Sequence, residues 1–186
     1  MEIYFITGNN NKFKEIANYI HGLKKMVVEG LPEIQSLDIN EVIEKKLFAA
    51  VEHYSGDDAK FMVEDTGLYL KALNNFPGPL IKFLLERIGN EGIYNLCSKI
   101  GNFEAYAITV FGLIESSTKT IEYFKGTVNG TISKPAGKYG FGWDQIFIPE
   151  RTEKTFAQME TIEEKNSYSM RVKALRKLLK QFESNK

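Results

Sequence analysis

Apolar residues in the first third of the chain occur in short runs and in helical repeats, which alternate with each other. A buried strand is predicted at Ile3–Ile6, an amphipathic helix at Lys12–Ile20 and a further strand at Met26–Val28. A second helix is predicted at Asn40–Tyr54, and a short buried strand at Phe61–Val63 follows it. This alternation predicts an α/β sheet that is covered by helices on both faces.

The middle and the end of the chain have a different pattern, with two helical stretches, a long hairpin, a loop, a strand and a helix. The hairpin predicts a long mixed β-sheet in two lobes with a central cleft, which is the default position for a site. The predicted segments are roughly Leu80–Ile88 and Glu91–Lys99, split at Gly89 and Asn90, then Glu104–Ile114, Lys119–Val128, the glycine-rich loop Ser133–Gly142, Gln145–Ile148 and Val172–Phe182.

Composition restricts the class of protein. The 186 residues, 43% of them hydrophobic and 26% charged, are typical of one soluble globular domain over residues 1–186. Neither a membrane-spanning run nor a secretory signal is visible, so we expect a cytoplasmic protein. Basic and acidic residues both number 24, and the resulting net charge of zero argues against nucleic-acid or membrane binding. The single cysteine, Cys97, is expected to be a core residue in a helix.

The segment TGNNNK (7–12) connects the first predicted strand to the first helix. Backbone amides at a helix N-terminus are unpaired donors, so this turn could bind an anion, and Lys12 would add a full positive charge. Asn and Gly are also ordinary turn and cap residues. Taken by itself, this segment favours the structural interpretation.

Acidic side chains in two further motifs are candidate metal ligands. In MVEDTG (62–67), Glu64 and Asp65 are predicted at the carboxyl end of a strand, the edge where α/β sheets bind ligands, although a plain turn fits equally well. Neighbours in a strand point to opposite faces, so only one of the two can face a given groove. In LPEIQ (31–35), Glu33 could join Asp65 in supplying the oxygen ligands that Mg²⁺ prefers, although each alone could be a surface acid.

Aromatic residues lie between glycines in YGFGWDQIF (139–147). An aromatic ring beside a hydrogen-bonding acid such as Asp144 is a plausible seat for a flat heterocycle. For Trp143 a position in the core is nearly as plausible, whereas Asp144 would need a partner if it is buried.

The segment TIEEKNSYSMRVKAL (161–175) contains two basic candidates. Thr161 and Glu164 form a capping-box pattern, which would place Lys165 on a short helical turn. Arg171 lies on the apolar stripe of the last helix, where it needs either a carboxylate or a ligand oxygen as an acceptor.

Together these motifs resemble the inosine triphosphate pyrophosphatase family of Ham1-like NTPases. The resemblance runs from Thr7 to Leu175 and rests on TGNNNK, LPEIQ, VEDTG, FPGP, GFGWD, FIP, TFAQM and EEKN followed by Ser169 and Arg171. It implies Mg²⁺-dependent hydrolysis of non-standard purine nucleoside triphosphates (ITP, dITP and XTP) to the monophosphate and pyrophosphate. It also implies a homodimer.

The resemblance assigns roles to individual residues of this sequence. Asp65 would bind Mg²⁺ together with Glu33 and would act as the base toward water. Lys46, or Lys45 if the local alignment shifts, would contact the phosphates. Thr7, Asn9 and Lys12 would hold the triphosphate. The pocket for the nucleobase would be formed by Phe141, Trp143, Asp144, Lys165 and Arg171, and further substrate contacts would come from Gly8, Thr66 and Gly142.

One position departs from the family pattern. The family usually has Ser-His-Arg where this chain has Ser169-Met170-Arg171, and a thioether cannot donate a strong hydrogen bond. Two alternatives therefore stay open, a pyrophosphatase for other modified nucleotides, including pyrimidines, and a nucleotide-binding protein that has lost catalysis. His21 and His53 are expected on the surface of predicted helices, so histidine catalysis is not expected.

Overall fold

Strands and helices alternate through the first half of the protein, and a computed structural model describes residues 2–54, 56 and 58–184. The strands are β1 (Glu2–Ile6), β2 (Lys24–Met26), β3 (Ala59–Leu70), β4 (Pro77–Gly78), β5 (Glu104–Glu115), β6 (Ile121–Ile132) and β7 (Phe147–Pro149). The helices are α1 (Asn10–Ala17), α2 (Ile39–His53), α3 (Ile81–Ile100), α4 (Ile162–Tyr168) and α5 (Met170–Ser184), with 3₁₀ turns at Lys71–Leu73 and Phe156–Gln158.

The strands form one mixed sheet in the order β2-β1-β3-β5-β6-β7, and β4 pairs with β3 outside this path. β1 runs parallel to both of its neighbours, with Tyr4 opposite Lys24 of β2 and Phe61 of β3. The pairs β3–β4 and β6–β7 are antiparallel. The prediction of a mixed α/β sheet is therefore confirmed.

The chain divides into two compact units. Unit 1 contains residues 1–65, 110–125 and 174–186, and unit 2 contains residues 66–109 and 126–173. Each unit has its own hydrophobic core, because its helices and strands bury their apolar faces against one another. Unit 1 buries Phe5, Ile16, Met62, Phe111 and Leu175, and unit 2 buries Leu70, Ile93, Cys97, Trp143, Phe147 and Met170.

The third strand is much longer than predicted, and this changes the position of two acidic residues. Glu64 and Asp65 lie inside β3 instead of at its carboxyl end, so that part of the prediction is wrong. The polar sequence after Val63 suggests a turn, but the strand continues because Leu68 and its neighbour pair with β4. The parallel pairing with β1 reaches Met62 and β1 ends at Ile6, so both carboxylates still lie just past the end of β1.

Smaller differences affect other boundaries. The predicted strand at Met26–Val28 overlaps β2 only at Met26, and the predicted strand at Gln145–Ile148 begins later, at Phe147. His21 is exposed but lies beyond the end of α1, and His53 is exposed at the end of α2.

The middle helix and its cysteine agree with prediction. The backbone of α3 leaves the helical region at Gly89 (φ 66°, ψ −178°), so the predicted split into two helical stretches is confirmed. Cys97 is buried on this helix, and burial raises the pKa of its thiol. None of the helices in the described part of the chain combines the length and apolar character needed to cross a bilayer.

Gly112 of β5 allows α2 to lie directly on the sheet in unit 1. A Cβ atom at this position would lie 2.2 Å from Ile43 Cγ2 and 2.9 Å from Leu47 Cδ1, and both of these residues are buried. We predict that Gly112→Ala lowers the free energy of unfolding by about 1–3 kcal/mol because the core is overpacked. Urea denaturation measures this change. The exposed control Ser98→Ala should change it by less than about 0.5 kcal/mol, and equal values for the two variants would contradict the prediction.

Candidate active site

The segment TGNNNK connects β1 to α1 and is organised by two of its own side chains. The hydroxyl of Thr7 accepts a hydrogen bond from the backbone N–H of Asn9 (3.1 Å). Asn9 is the N-cap of α1, and its Oδ1 accepts from the N–H groups of Asn11 (2.9 Å) and Lys12 (3.2 Å). Two helix N-terminal donors are thus used by the cap, so the positive charge for an anion comes mainly from the side chain of Lys12.

Gly8 leaves the backbone of this turn open. A Cβ atom at Gly8 would have no described atom within 4 Å, and the residue is exposed. The N–H group of Thr7 donates to the carbonyl of Met26 (3.1 Å), which ties the turn to β2. The turn therefore has a fixed backbone and open space beside Gly8, two properties that a ligand-binding turn requires.

A buried ion pair joins this turn to β3. Lys12 Nζ lies 2.9 Å from Glu64 Oε2, and the side chain of Glu64 is fully buried while that of Lys12 is 19% exposed. A carboxylate without contact to water needs a positive partner. Glu64 therefore fixes the ammonium group of Lys12 beside the end of β1.

Asp65, the next residue of β3, contacts a different element. Its Oδ1 lies 3.7 Å from Lys46 Nζ of α2, and each of the two side chains is 18% exposed. Neighbouring carboxylates thus interact with different helices, as the alternation of side chains along a strand predicts. Lys45 is exposed, so the geometry favours Lys46 as the lysine of this group.

Glu33 is exposed on the segment between β2 and α2, in the same unit as Asp65. The described residues contain no group of three or more His, Cys, Asp or Glu side chains that could hold a metal ion. Mg²⁺ is commonly bound by only one or two carboxylates, with substrate phosphates and water completing its shell. The carboxylate oxygens of Glu33 and Asp65 are hard donors of the kind such an ion uses.

A second group of functional side chains belongs to unit 2 and is built around Phe141. The backbone N–H of Phe141 donates to Asp144 Oδ2 (2.9 Å), and Lys165 Nζ donates to the same oxygen (2.9 Å). Asp144 and Lys165 are both buried. The buried partner that Asp144 requires is thus Lys165. Their ion pair connects the aromatic loop, which we define as residues 137–145, to α4.

Two cations lie over the ring of Phe141. Lys165 Nζ is 5.1 Å and Arg171 Cζ is 6.0 Å from the ring centroid, both within the range of a cation–π interaction. Arg171 is buried at the start of α5. Its backbone N–H and the backbone N–H of Val172 donate to Ser169 Oγ. An aromatic face beside cationic donors is suited to a flat heterocycle that carries carbonyl oxygens.

Other predicted residues of this group have different surroundings. Trp143 is buried in the core of unit 2 and packs edge-on against Phe147, with a centroid distance of 5.5 Å. Met170 is buried in the same core. The surroundings of Trp143 are those of a core residue, and Met170 contributes packing. Thr66 shares a hydrogen bond with the hydroxyl of Thr109 (2.7 Å).

The predicted capping box before Lys165 is only half formed. Thr161 is the N-cap of α4, and its hydroxyl accepts from the N–H of Glu164 (3.1 Å). The carboxylate of Glu164 does not return this bond, because it accepts instead from the N–H of Glu160 and from Lys154 Nζ. The hydrogen bond from Lys154 lowers the pKa of Glu164. The helix that carries Lys165 is therefore fixed by an additional ion pair.

Comparisons with known proteins agree on one family. The family model described as the Ham1 family matches residues 3–181. An inosine triphosphate pyrophosphatase from Schizosaccharomyces pombe is 38% identical, over 99% of this chain and 96% of its own length. A dITP/XTP pyrophosphatase from Saccharolobus solfataricus is 40% identical, over 99% of this chain and 95% of its own length. A HAM1 protein from Coxiella burnetii has a similar fold, with a TM-score of 0.82, 23% identity and coverage of 99% of both chains.

We predict that removing either partner of the buried Lys12–Glu64 pair lowers the stability of the protein by a different amount. Lys12→Met removes a positive charge from a fully buried carboxylate and should lower the free energy of unfolding by about 3 kcal/mol or more. Glu64→Gln leaves a neutral amide and should cost less, about 1–2 kcal/mol. Urea denaturation measures both, with Lys14→Met on the exposed face of α1 as the control.

The control variant decides the outcome. A loss of stability in Lys12→Met equal to that in Lys14→Met would contradict this account of the pair.

Proposed function

This chain belongs to the Ham1 family, and on that basis we propose that it is a nucleoside-triphosphate pyrophosphatase. Its substrates are non-standard purine nucleoside triphosphates such as ITP, dITP and XTP, which it hydrolyses to the monophosphate and pyrophosphate. The names of the relatives from Schizosaccharomyces pombe and Saccharolobus solfataricus support this substrate class. Within the structure, the observation that best supports the assignment is the 3.7 Å approach of Lys46 to Asp65, which pairs a proposed phosphate-binding cation with a candidate catalytic base.

The phosphates determine what unit 1 has to supply. The negative charges of a triphosphate repel an incoming water, so positive groups must reduce that charge before attack. Lys12 and Lys46 are proposed to bind the phosphate oxygens, with Thr7, Gly8 and Asn9 shaping the turn beside them and Thr66 as a further contact. Because Glu64 holds Lys12 in place, little reorganisation of that ammonium group is needed when the substrate arrives.

Asp65 is proposed as the base. It takes a proton from water as the water oxygen bonds to the α-phosphorus, and the bond from the α-phosphorus to the bridging oxygen breaks, so that pyrophosphate leaves. The neighbouring ammonium group of Lys46 favours the ionised form of the carboxylate that this step requires.

The reaction is proposed to need Mg²⁺, with Glu33 and Asp65 as the protein ligands. When bound, such an ion neutralises phosphate charge and orients the triphosphate. The other ligands in this proposal are phosphate oxygens and water, which is in keeping with the small number of carboxylates available.

The base of the nucleotide is proposed to lie against Phe141, within the group formed with Asp144, Lys165 and Arg171. A 6-keto oxygen is proposed to accept hydrogen bonds from Arg171 and Lys165, whose charged side chains carry only donors. The 6-amino group of adenine would instead place one donor against another. Leaving buried polar groups unpaired costs enough to reject such an analogue by roughly 10⁴-fold.

Four expectations do not follow from these contacts. Homodimer formation and a cytoplasmic location stay predictions, as do the additional roles of Gly142 and Trp143 in the base pocket. Met170 is buried in the core of unit 2, so its thioether contributes packing at the position where the family usually has histidine.

A panel of nucleotides tests the substrate class. With Mg²⁺ present, kcat/KM for ITP, dITP and XTP should exceed that for ATP by roughly 10⁴-fold, because only keto groups match the donors of the base site. Detection of released pyrophosphate measures the rates. Preference for a methylated pyrimidine triphosphate would favour the alternative of other modified nucleotides, and nucleotide binding without pyrophosphate release would favour the non-catalytic alternative.

The role of Asp65 gives a separate prediction. Asp65→Asn should lower kcat for ITP by about 100-fold or more, because an amide cannot accept the proton from water. The matched control is Asp58→Asn, which changes an exposed aspartate and should keep the wild-type rate. Pyrophosphate release by Asp65→Asn at full speed would remove Asp65 from the role of base.

A further inference from the structure

One side chain of the middle helix contacts the aromatic loop. Asn90 of α3 donates hydrogen bonds to two points of this loop, the carbonyl of Gly142 and the side chain of Gln145. We propose that Asn90 is a positioning residue that holds the aromatic loop in the form that discriminates between bases. This inference rests on the proposed function, because it concerns the same base site.

The break in α3 is what brings Asn90 to this position. Gly89 has φ 66° and ψ −178°, a conformation that residues with a side chain rarely adopt. A Cβ atom at Gly89 would have no described atom within 4 Å, so backbone conformation and not space explains the glycine. A break inside a helix loses regular hydrogen bonds, and here it directs the next residue toward the loop.

The hydrogen bonds of Asn90 form a chain with a defined direction. Asn90 Nδ2 donates to Gly142 O (3.1 Å) and to Gln145 Oε1 (3.2 Å), which uses both of its hydrogens. Gln145 Nε2 in turn donates to Gly137 O (3.4 Å). The two backbone carbonyls can only accept, so they fix the orientation of both amide groups. One side chain of α3 is thereby connected to both ends of the aromatic loop.

These bonds act on the residue that carries the aromatic ring. Phe141 is fixed on its amino side, where its N–H donates to Asp144 Oδ2 (2.9 Å). On its carboxyl side the carbonyl of Gly142 is held by Asn90. The glycines that flank Phe141 have φ of 76° and 65°, and such a backbone has no conformational preference of its own to keep the ring in place. The N–H of Asp144 also donates to the carbonyl of Phe141 (3.2 Å). Asn90 adds a restraint at Gly142 that comes from another element, α3.

A loosened ring would affect base recognition more than the chemical step. Phe141 and the cations over it belong to unit 2, whereas Lys12, Lys46 and Asp65 belong to unit 1. A change at Asn90 should therefore appear in KM and in the choice of base, with kcat for a good substrate nearly unchanged.

The test uses Asn90→Asp, which keeps the shape of the side chain but replaces both donors by an oxygen that repels Gly142 O and Gln145 Oε1. The ratio of kcat/KM for ITP to that for ATP should fall by about 10-fold or more, mainly through KM for ITP. Asn90→Ala, which removes the donors without repulsion, should shift the ratio in the same direction by less. The control Asn95→Asp, at an exposed position of the same helix, should keep the wild-type ratio.

The single tryptophan provides a readout that does not depend on turnover. Trp143 lies within the aromatic loop and is buried, so acrylamide quenching of its fluorescence should increase about twofold in Asn90→Asp if the loop opens locally. Thermal denaturation of each variant establishes that it is folded.

The outcomes separate the two proposals. If the wild type does not release pyrophosphate from ITP, the proposed function is wrong, and fluorescence titration with IMP then decides the role of Asn90. Weaker IMP binding by Asn90→Asp than by Asn95→Asp supports that role. If the wild type is active and Asn90→Asp keeps its base selectivity, Asn90 does not position the base site, even if its melting temperature falls. Absence of any wild-type response to IMP, together with inactivity, overturns both proposals.

Discussion

A carboxylate buried in a protein must have positive charge or hydrogen-bond donors within reach, and this constraint organises both groups of functional side chains. Glu64 is fully buried and holds Lys12, and Asp144 is buried and holds Lys165. In each pair the lysine is the more exposed partner, at 19% against 0% and 11% against 7%. Each acid therefore holds the ammonium group of its lysine in a defined position.

This arrangement explains how a chain without net charge can handle a polyanion. The chain has 24 lysine and arginine residues and 24 aspartate and glutamate residues, so no overall electrostatic field attracts a negatively charged substrate. Positive charge is instead placed locally, at Lys12 and Lys46, which we propose for the phosphates, and at Lys165 and Arg171, which we propose for the nucleobase. Acids beside the three lysines hold these side chains in position, which would reduce the reorganisation that binding of the proposed substrate requires.

Glycines complement the ion pairs by placing backbone where side chains would obstruct it. Gly112 admits α2 against the sheet, and α2 carries Lys46 to Asp65. Gly140 leaves room for the carboxylate of Asp144, because a Cβ atom there would lie 2.1 Å from Asp144 Oδ2. Gly89 interrupts α3 so that Asn90 reaches the aromatic loop. Each of these glycines therefore lies beside a specific contact, and that contact fixes the backbone that glycine by itself leaves flexible.

The sequence by itself determined the type and order of most elements, because the repeats of 2.0 and 3.6 residues that bury one face are local properties. It also indicated the residue types of the candidate site, since TGNNNK, VEDTG and GFGWD carry groups of the kind that phosphates, a hard cation and a heterocycle require. Tertiary structure alone decided the continuation of β3 past Asp65, because Leu68 pairs with β4, a strand outside the local pattern. It also decided which cation meets which acid, including Lys46 in preference to Lys45, and it placed the amide of Asn90 against the aromatic loop, a contact that no local motif indicated. The physical reason is that an ion pair or hydrogen bond between residues distant in sequence depends on the path of the chain, whereas periodicity records only which face of each element is buried.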